Sequence, residues 1–305
     1  DQLIQNAERA LVYTKKNQLS AGQFYQAEHD KELQLRKRLV RDMRAAPQRD
    51  EICIHYQPLM GAQNEQVVAV EALVRWTHPE LGNVAPVEFV PLAESSGQIH
   101  ALGEWVLRRA CQQAATWQRL CDAPPRVAVN VSATQLRERG FDQIVASALA
   151  DARLPPSMLE LEITETALIE NIDQAIGTLQ RLRASGVRIS IDDFGTGLAS
   201  LSYLKRLPID QLKIDISFIR DVLHDPSDAQ IVKAIINLGH SLDLEVVAEG
   251  VEEQSQRDFL VAAGCDLIQG FLFFPPIDAV AFANYLQRQS SSRPVVVPIS
   301  GRSAG

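Results

Sequence analysis

The sequence has no cysteine pair, no long apolar run and no excess of positive charge, and each absence removes a class of function. Its four cysteines, Cys53, Cys111, Cys121 and Cys265, are scattered, with neither C-x-x-C spacing nor a histidine at zinc-ligand distance. That scatter argues against a disulfide framework or a zinc site and fits reduced thiols in a cytoplasmic setting. No apolar stretch approaches the roughly 20 residues of a membrane helix, and no signal peptide is visible. The chain begins at Asp1 rather than Met, so the expectation is a piece of a longer parent, which could itself be membrane-anchored. Lys and Arg number 30 against 38 Asp and Glu, for a formal charge of -8, so no broad basic face is available for a DNA or RNA polymer. A small anionic ligand is compatible with this balance if metal cations bridge it. At 46% hydrophobic over 305 residues, the chain can bury one large core and lacks the signature of disorder.

What is present is an alternation. Residues 28–43 are dense in Lys, Arg and Glu, with Leu33, Leu35 and Leu39 in a narrow apolar stripe, which reads as a connector helix rather than a core element. From residue 52, short β-type runs alternate with amphipathic helical stretches, the pattern of an α/β fold. The predicted strands cover 52–56, 67–74, 127–131, 159–163, 188–191, 211–214, 244–248 and 267–269. Only a turn at 61–64 divides the first two, too little for a crossover helix, so they pair as an antiparallel hairpin. Helical runs at 104–120, 172–184 and 231–242 precede later strands. Eight strands over about 250 residues predict a modified (β/α)₈ barrel of the TIM type with an antiparallel first strand. A doubly wound open sheet competes, but no Gly-rich phosphate loop follows the first strand. Residues 289–305, rich in Ser, Pro and Gly, read as a flexible tail.

Acids and one amide stand at the strand ends: Glu71, Asn130, Glu162, the pair Asp192-Asp193, and Glu249, with Lys213 closing another strand. Each has a local explanation. Asp192 and Asp193 fit a turn, Glu249 a helix cap, Asn130 a satisfied amide, Glu162 a solvent-facing strand residue and Lys213 an ion pair. Five strand ends needing unrelated explanations favour one shared cause, because strand ends in a β/α barrel converge on one mouth. Carboxylates gathered there repel unless protonated or neutralised by cations. Oxygen-only ligands favour Mg²⁺, Mn²⁺ or Ca²⁺ over zinc, and an adjacent Asp pair suits two metals roughly 3.5 to 4 Å apart, an arrangement that splits phosphate esters. Beside several carboxylates the Lys213 pKa should rise, which favours orienting a water over free-base catalysis.

Glu71-Ala72-Leu73-Val74-Arg75-Trp76 resembles the signature of EAL-domain cyclic di-GMP phosphodiesterases. Tyr56-Gln57-Pro58, Asn130-Val131-Ser132, Glu160 through Glu165, Asp192 through Gly197, Leu212-Lys213-Ile214-Asp215, Glu249 through Glu252 and Gln269-Gly270 fall in that family's order. The resemblance implies hydrolysis of cyclic di-GMP to 5′-pGpG with two Mg²⁺ or Mn²⁺ ions, Ca²⁺ being inhibitory. It implies Glu71, Asn130, Glu162, Asp192, Asp193 and Glu249 as metal ligands, with Lys213 and Gln269 near the attacking water. Glu165 would hold the loop after the Asp pair, a loop the family links to metal binding and to a homodimer. Gln57, Leu73, Arg75, Asp215 and Glu252 would contact substrate; the guanidinium of Arg75 can fork onto a phosphate or a guanine edge.

Departures from the family pattern are Leu198-Ala199 in that loop, Glu253, and Phe274-Pro275. Residues 1–30 resemble the end of a GGDEF domain without its active-site motif, which implies a tandem parent with missing GGDEF or sensory domains. The expected partition is 1–30 remnant, 31–50 connector, 51–288 barrel and 289–305 tail. Two other readings are a catalytically silent cyclic di-GMP receptor of the same fold and an unrelated barrel enzyme acting on a phosphorylated metabolite.

Overall fold

The computed structural model describes residues 27–169, 172–197 and 204–291. The stretch 1–26, the pair Leu198-Ala199 and most of the tail lie outside the described residues. The chain divides into two compact units: residues up to Cys53 with Arg75–Leu102, and Ile54–Val74 with Gly103 onward.

The first unit contains α1 (Ala27–Met43), a 3-10 turn (Ala46–Arg49), the short strand β3 (Gly82–Val84) and α2 (Pro86–Ser96). The sequence reading treated α1 as a connector with little core character, and here it is corrected. Leu39 and Met43, four residues apart on one face, are buried, and α1 packs against α2, whose Phe89 and Ala93 are fully buried. Trp76 meets Phe89 edge to face at 5.6 Å and its indole donates to Glu51 Oε2 at 3.3 Å. His78 Nδ1 accepts from the amides of Glu80 and Leu81, which leaves Nε2 to carry the proton and donate to Asp42 Oδ2 at 3.3 Å. Hydrogen bonding from Arg41, more than from His78, lowers the Asp42 carboxyl to about 2.

The second unit holds the barrel. Its strands are β1 (Ile52–Gly61) from Ile54 onward, β2 (Val67–His78) as far as Val74, β4 (Arg126–Asn130), β5 (Leu159–Thr164), β6 (Arg188–Phe194), β7 (Gln211–Ile214), β8 (Glu245–Ala248) and β9 (Leu267–Ile268). From β2 through β9 neighbouring strands pair in parallel, while β1 pairs with β2 and runs antiparallel to β9, so eight strands close on themselves. The fold is the modified (β/α)₈ barrel. A two-residue strand, β10 (Ile277–Asp278), adds to the outside of β1 and was not legible in the sequence, being too short to carry a period. The strands β1 and β2 run several residues beyond the predicted ends.

Helices follow the strands in turn: α3 (Ile99–Trp117), α4 (Ala133–Leu136), α5 (Phe141–Ala152), α6 (Glu165–Ile169), α7 (Ile172–Ala184), α8 (Ile216–Arg220), α9 (Pro226–Ser241), α10 (Gln254–Ala262) and α11 (Ala279–Ser291). Sequence signals set several starts. Asp215 and Asp225 cap α8 and α9, Pro226 supplies the first turn of α9, and Ser132 with Gln135 forms a capping box on α4. Trp117, fully buried, lies edge-on to Tyr56 and Phe282, tying α3 and α11 to β1.

Alternation along the strands fills the lumen in layers. Outward residues such as Leu161, Ile163, Ile189, Leu212 and Val246 are apolar and buried under helices. Inward positions are apolar on one side, where Leu59, Ala69, Val247 and Leu267 cluster, and charged on the other. At the amino-terminal ends of β4 to β8, Arg126 and Arg188 bracket the fully buried Glu160, with nitrogens 3.5 and 3.3 Å from its Oε2. Both guanidiniums also reach Glu245 Oε2, at 3.0 and 2.9 Å. Gln211 completes this floor, donating to Glu245 at 3.0 Å and accepting from Ser190 Oγ at 3.0 Å.

Candidate active site

One inward step along the same strands, the floor gives way to the mouth: Glu160 is followed by Glu162, Ser190 by Asp192, Gln211 by Lys213. Register brings these together, since Asn130 lies opposite Glu162, and Glu71 opposite Ala128 two residues before Asn130. Lys213, fully buried, sits among four carboxylates. Its Nζ is 2.6 Å from Glu249 Oε1, 3.0 Å from Glu162 Oε1, 3.2 Å from Asp192 Oδ1 and 3.6 Å from Glu71 Oε2. Asn130 donates to Glu71 Oε1 at 2.7 Å, and Gln269 donates to Glu71 Oε2 at 2.7 Å and to Gln57 Oε1 at 3.2 Å. Gln57 in turn donates to the Phe274 carbonyl at 3.1 Å, one of the positions where the sequence departs from the family pattern.

Strict alternation would send Asp193 away from Asp192. The β6–β7 ladder instead shifts register between Ile191 and Phe194, and Asp193 takes a left-handed backbone, with φ of 54°. Such a bulge re-aims a side chain at the cost of local strain. As a result, one oxygen each of Asp192, Asp193 and Glu249 lie within 4.8 Å of one another. The loop beyond is held by Glu165, buried, whose Oε2 accepts from the Gly195 amide at 3.1 Å. Gly197 lies so close that a Cβ there would stand 2.4 Å from Glu165 Oε1.

The electrostatics follow from burial opposed by Lys213. Burial would lower the Lys213 pKa, but Asp192, Glu162, Glu249 and Glu71 outweigh it and raise the pKa well above the ordinary value, as the sequence reading anticipated. Burial pushes Glu162 well above the usual carboxyl range and Glu249 up to about 8. Asp193 is pushed up to about 6, by burial first and then by Asp192 and Asp215. For Glu71 burial acts in the same direction, but Lys213, Gln269 and Asn130 overcome it, and its pKa is lowered.

A divalent cation fits this donor set. The ligands are all oxygen, the preference of hard cations. Both carboxylate oxygens of Glu162 are fully buried without an aligned hydrogen-bond donor, although the Lys213 ammonium is 3.0 Å from Oε1. Buried acceptors left in that state call for a partner.

Above the cluster opens a cleft of about 290 Å³ lined by Gln57, Glu71, Leu73, Asp192, Ile216, Glu249, Gly250, Glu252, Gln269, Gly270 and Phe271. Of the five residues expected to contact substrate, Gln57, Leu73 and Glu252 line it. Asp215 does not; it caps α8, accepting from the Ser217 amide at 3.0 Å, and stands beside Asp193. Arg75 belongs to the other compact unit and is absent from the cleft lining. Ile216, Gly250, Gly270 and Phe271 were not anticipated as cleft residues. Gly270 had a signal in the Gln269-Gly270 motif, but an isoleucine and a phenylalanine carry no mark of their eventual exposure.

Gly270 is required by close approach: a Cβ there would fall 2.0 Å from the Val251 carbonyl oxygen and 2.4 Å from its nitrogen. Backbone cannot yield as a flexible side chain can. Gly270→Ala is therefore expected to push apart the loops after β8 and β9, cutting turnover at this site ~10²-fold, the scale of a 1 Å misplacement in a site. Circular dichroism that stays native in the variant, with wild-type turnover, would contradict this.

Comparison with known proteins gives a consistent picture. A family model described as EAL domain matches residues 40–276. The bifunctional diguanylate cyclase/cyclic di-GMP phosphodiesterase MucR of Pseudomonas aeruginosa is 44% identical over 278 residues, which are 91% of this chain and 41% of MucR. The cyclic di-GMP phosphodiesterase NbdA of the same organism is 42% identical over 291 residues, 94% of this chain and 37% of NbdA. A solved structure of the MucR phosphodiesterase in complex with c-di-GMP superposes with a TM-score of 0.78 at 46% identity, covering 80% of this chain and 99% of that one. The chain thus spans well under half the length of these two curated relatives.

Proposed function

Because the chain belongs to the EAL-domain family, we propose that it hydrolyses cyclic di-GMP to linear 5′-pGpG with two Mg²⁺ or Mn²⁺ ions, and that Ca²⁺ supports binding without turnover. The observation that carries this reading is the Lys213-centred cluster, four carboxylates and an amide on one charged barrel mouth, with the oxygens of Glu162 buried and lacking aligned donors. Glu71, Asn130, Glu162, Asp192, Asp193 and Glu249 would hold the ions. When bound, divalent cations lower the pKa of a water and neutralise phosphoryl charge.

The protein's own groups do the rest. Lys213 keeps its proton among the carboxylates, so it acts as a fixed donor that orients the attacking water rather than as a free base. Gln269 braces Glu71 and Gln57 together. Glu165 fixes the start of the loop that follows Asp193. Gln57, Leu73 and Glu252 shape the cleft for the nucleotide, with Asp215 acting from beside Asp193. Arg75, on the strand that also carries Glu71, is the remaining proposed substrate contact. The parent is read as a tandem regulator that dimerises, residues 51–288 forming its phosphodiesterase barrel. No helix of the described residues is long and apolar enough to cross a membrane.

The test is chromatography of products. Incubation with cyclic di-GMP and Mg²⁺ or Mn²⁺ is expected to yield 5′-pGpG, while Ca²⁺ is expected to give bound, intact nucleotide. Intact nucleotide under every metal would favour the silent-receptor reading.

A further inference from the structure

Gln256 neither lines the cleft nor touches the carboxylate cluster, yet its side chain joins two segments that build the cleft. It is the third residue of α10 and is buried, at 6% exposure. Its Oε1 accepts from the amides of Glu252 and Glu253, at 2.8 and 3.0 Å. Its Nε2 donates to the Ile219 carbonyl at 3.1 Å and, at 3.5 Å, to that of Arg220. One planar amide therefore ties the end of the loop after β8 to the last turn of α8, whose first residue, Ile216, faces the cleft.

The earlier part of that loop is held differently. The Glu249 amide donates to the Ile214 carbonyl at 3.2 Å, and Val251 donates to the Gln269 carbonyl and accepts from the Leu272 amide, both at 3.0 Å. Glu249 and Val251 are thus fixed by backbone, whereas the Glu252 amide depends on a side chain. Capping explains only half of this arrangement. Glutamine or glutamate at the third position of a helix can reach back to the amide of the N-cap, so either residue would satisfy Glu253. The donor half is more demanding. A side-chain amide accepts from two backbone N–H groups and donates to a carbonyl at once, whereas a carboxylate only accepts. In the same buried place, a carboxylate would face the Ile219 and Arg220 carbonyl oxygens with no proton to give.

We propose that Gln256 is a positioning residue for substrate binding: by tying the Glu252 backbone to α8, it sets where the Glu252 carboxylate stands in the cleft. Glu249 and the metal-binding oxygens are held independently of it. This rests on the cyclic di-GMP reading above, in which Glu252 contacts the nucleotide.

The experiment compares wild type, Gln256→Glu and Gln256→Met, each with and without Glu252→Ala. It reads kcat and KM with Mg²⁺, and the Kd of cyclic di-GMP with Ca²⁺. Gln256→Glu preserves the capping box, so a role confined to starting α10 leaves it neutral. The positioning role instead predicts that KM and Kd rise about tenfold, the scale of one misplaced hydrogen bond to a charged group. The Mg²⁺ concentration for half-maximal rate is expected to stay at the wild-type value. Gln256→Met, which loses both halves of the tether, is expected to do the same. On the Glu252→Ala background either change is expected to add little, because the two residues act through one contact. Unmoved KM and Kd in both variants would overturn the positioning role. So would an equal rise with and without Glu252, or a parallel loss of metal activation, each of which marks a general loosening of the loop. The Kd shift reads the position of Glu252 whether or not the nucleotide is cleaved. Wild type that does not bind cyclic di-GMP at all would overturn the substrate reading and the positioning role with it.

Discussion

Replacing Lys213 with Met is expected to lower kcat for cyclic di-GMP by roughly 10²- to 10⁴-fold, the usual worth of a positioned acid-base group, without weakening divalent-cation binding. The second half of that expectation distinguishes the account from simple collapse of the site. Without metal, the Lys213 ammonium is the counter-charge for Glu71, Glu162, Asp192 and Glu249, at 2.6 to 3.6 Å. It therefore competes with a cation for the same oxygens. Removing it leaves the carboxylates uncompensated, so the metal-free variant should lose thermal stability and regain more of it than wild type on adding Mg²⁺. Kinetic titration of the metal together with thermal melts reads both effects. A variant that keeps wild-type kcat, or whose metal affinity falls in parallel with kcat, would contradict the role assigned to Lys213.

The second large effect lies on the barrel floor and concerns stability. Arg188 links Glu160 and Glu245, and Arg188→Met would leave Glu160, fully buried, with Arg126 at 3.5 Å as its remaining cation. Breaking a buried pair from one side costs about 3–5 kcal/mol. Its pH dependence has a definite sign. Burial already raises the Glu160 pKa, while Arg126 and Arg188 oppose the rise. Without Arg188 the folded-state pKa climbs further, the folded state holds more protons than the unfolded one between the two pKa values, and stability falls as pH rises through that window. The deficit against wild type should be largest near neutrality and shrink towards about pH 4, the unfolded carboxyl value. Adding Glu160→Met should recover most of the loss, because an apolar replacement removes the stranded charge. Urea denaturation of the single and double variants across pH checks this; a pH-independent deficit, or no rescue, would contradict it.

The barrel was legible because its strands are short apolar runs with acids at their carboxyl ends, and because a turn of a few residues can join the first two strands only as a hairpin. Glu71, Asn130, Glu162, Asp192 and Glu249 stood out for the same reason: a charged or strongly polar group at the end of an apolar run is costly unless it serves one site. Asp193 was placed near the mouth because it ends a strand, but alternation alone would have turned it away; the bulge and left-handed backbone that bring it in leave no sequence signal beyond the following glycines. The floor went unread for a more instructive reason. Arg126, Arg188, Gln211 and Glu245 begin strands, where a polar residue looks like the end of a loop, and only the register shows that they lie one inward layer beneath the site. Similarly, α1 was undervalued because its apolar stripe is narrow in sequence, yet its buried residues sit where α2 covers it.

The account stands most directly on turnover of cyclic di-GMP by wild type and Glu71→Ala, with Mg²⁺ or Mn²⁺ and with chelator, followed by separation of the products. Glu71 joins Asn130, Gln269 and Lys213 on one carboxylate, so its loss should abolish conversion while wild type forms 5′-pGpG only when the metal is present. Tight binding of cyclic di-GMP by wild type with no conversion under any divalent cation, or equal conversion by Glu71→Ala, would contradict it.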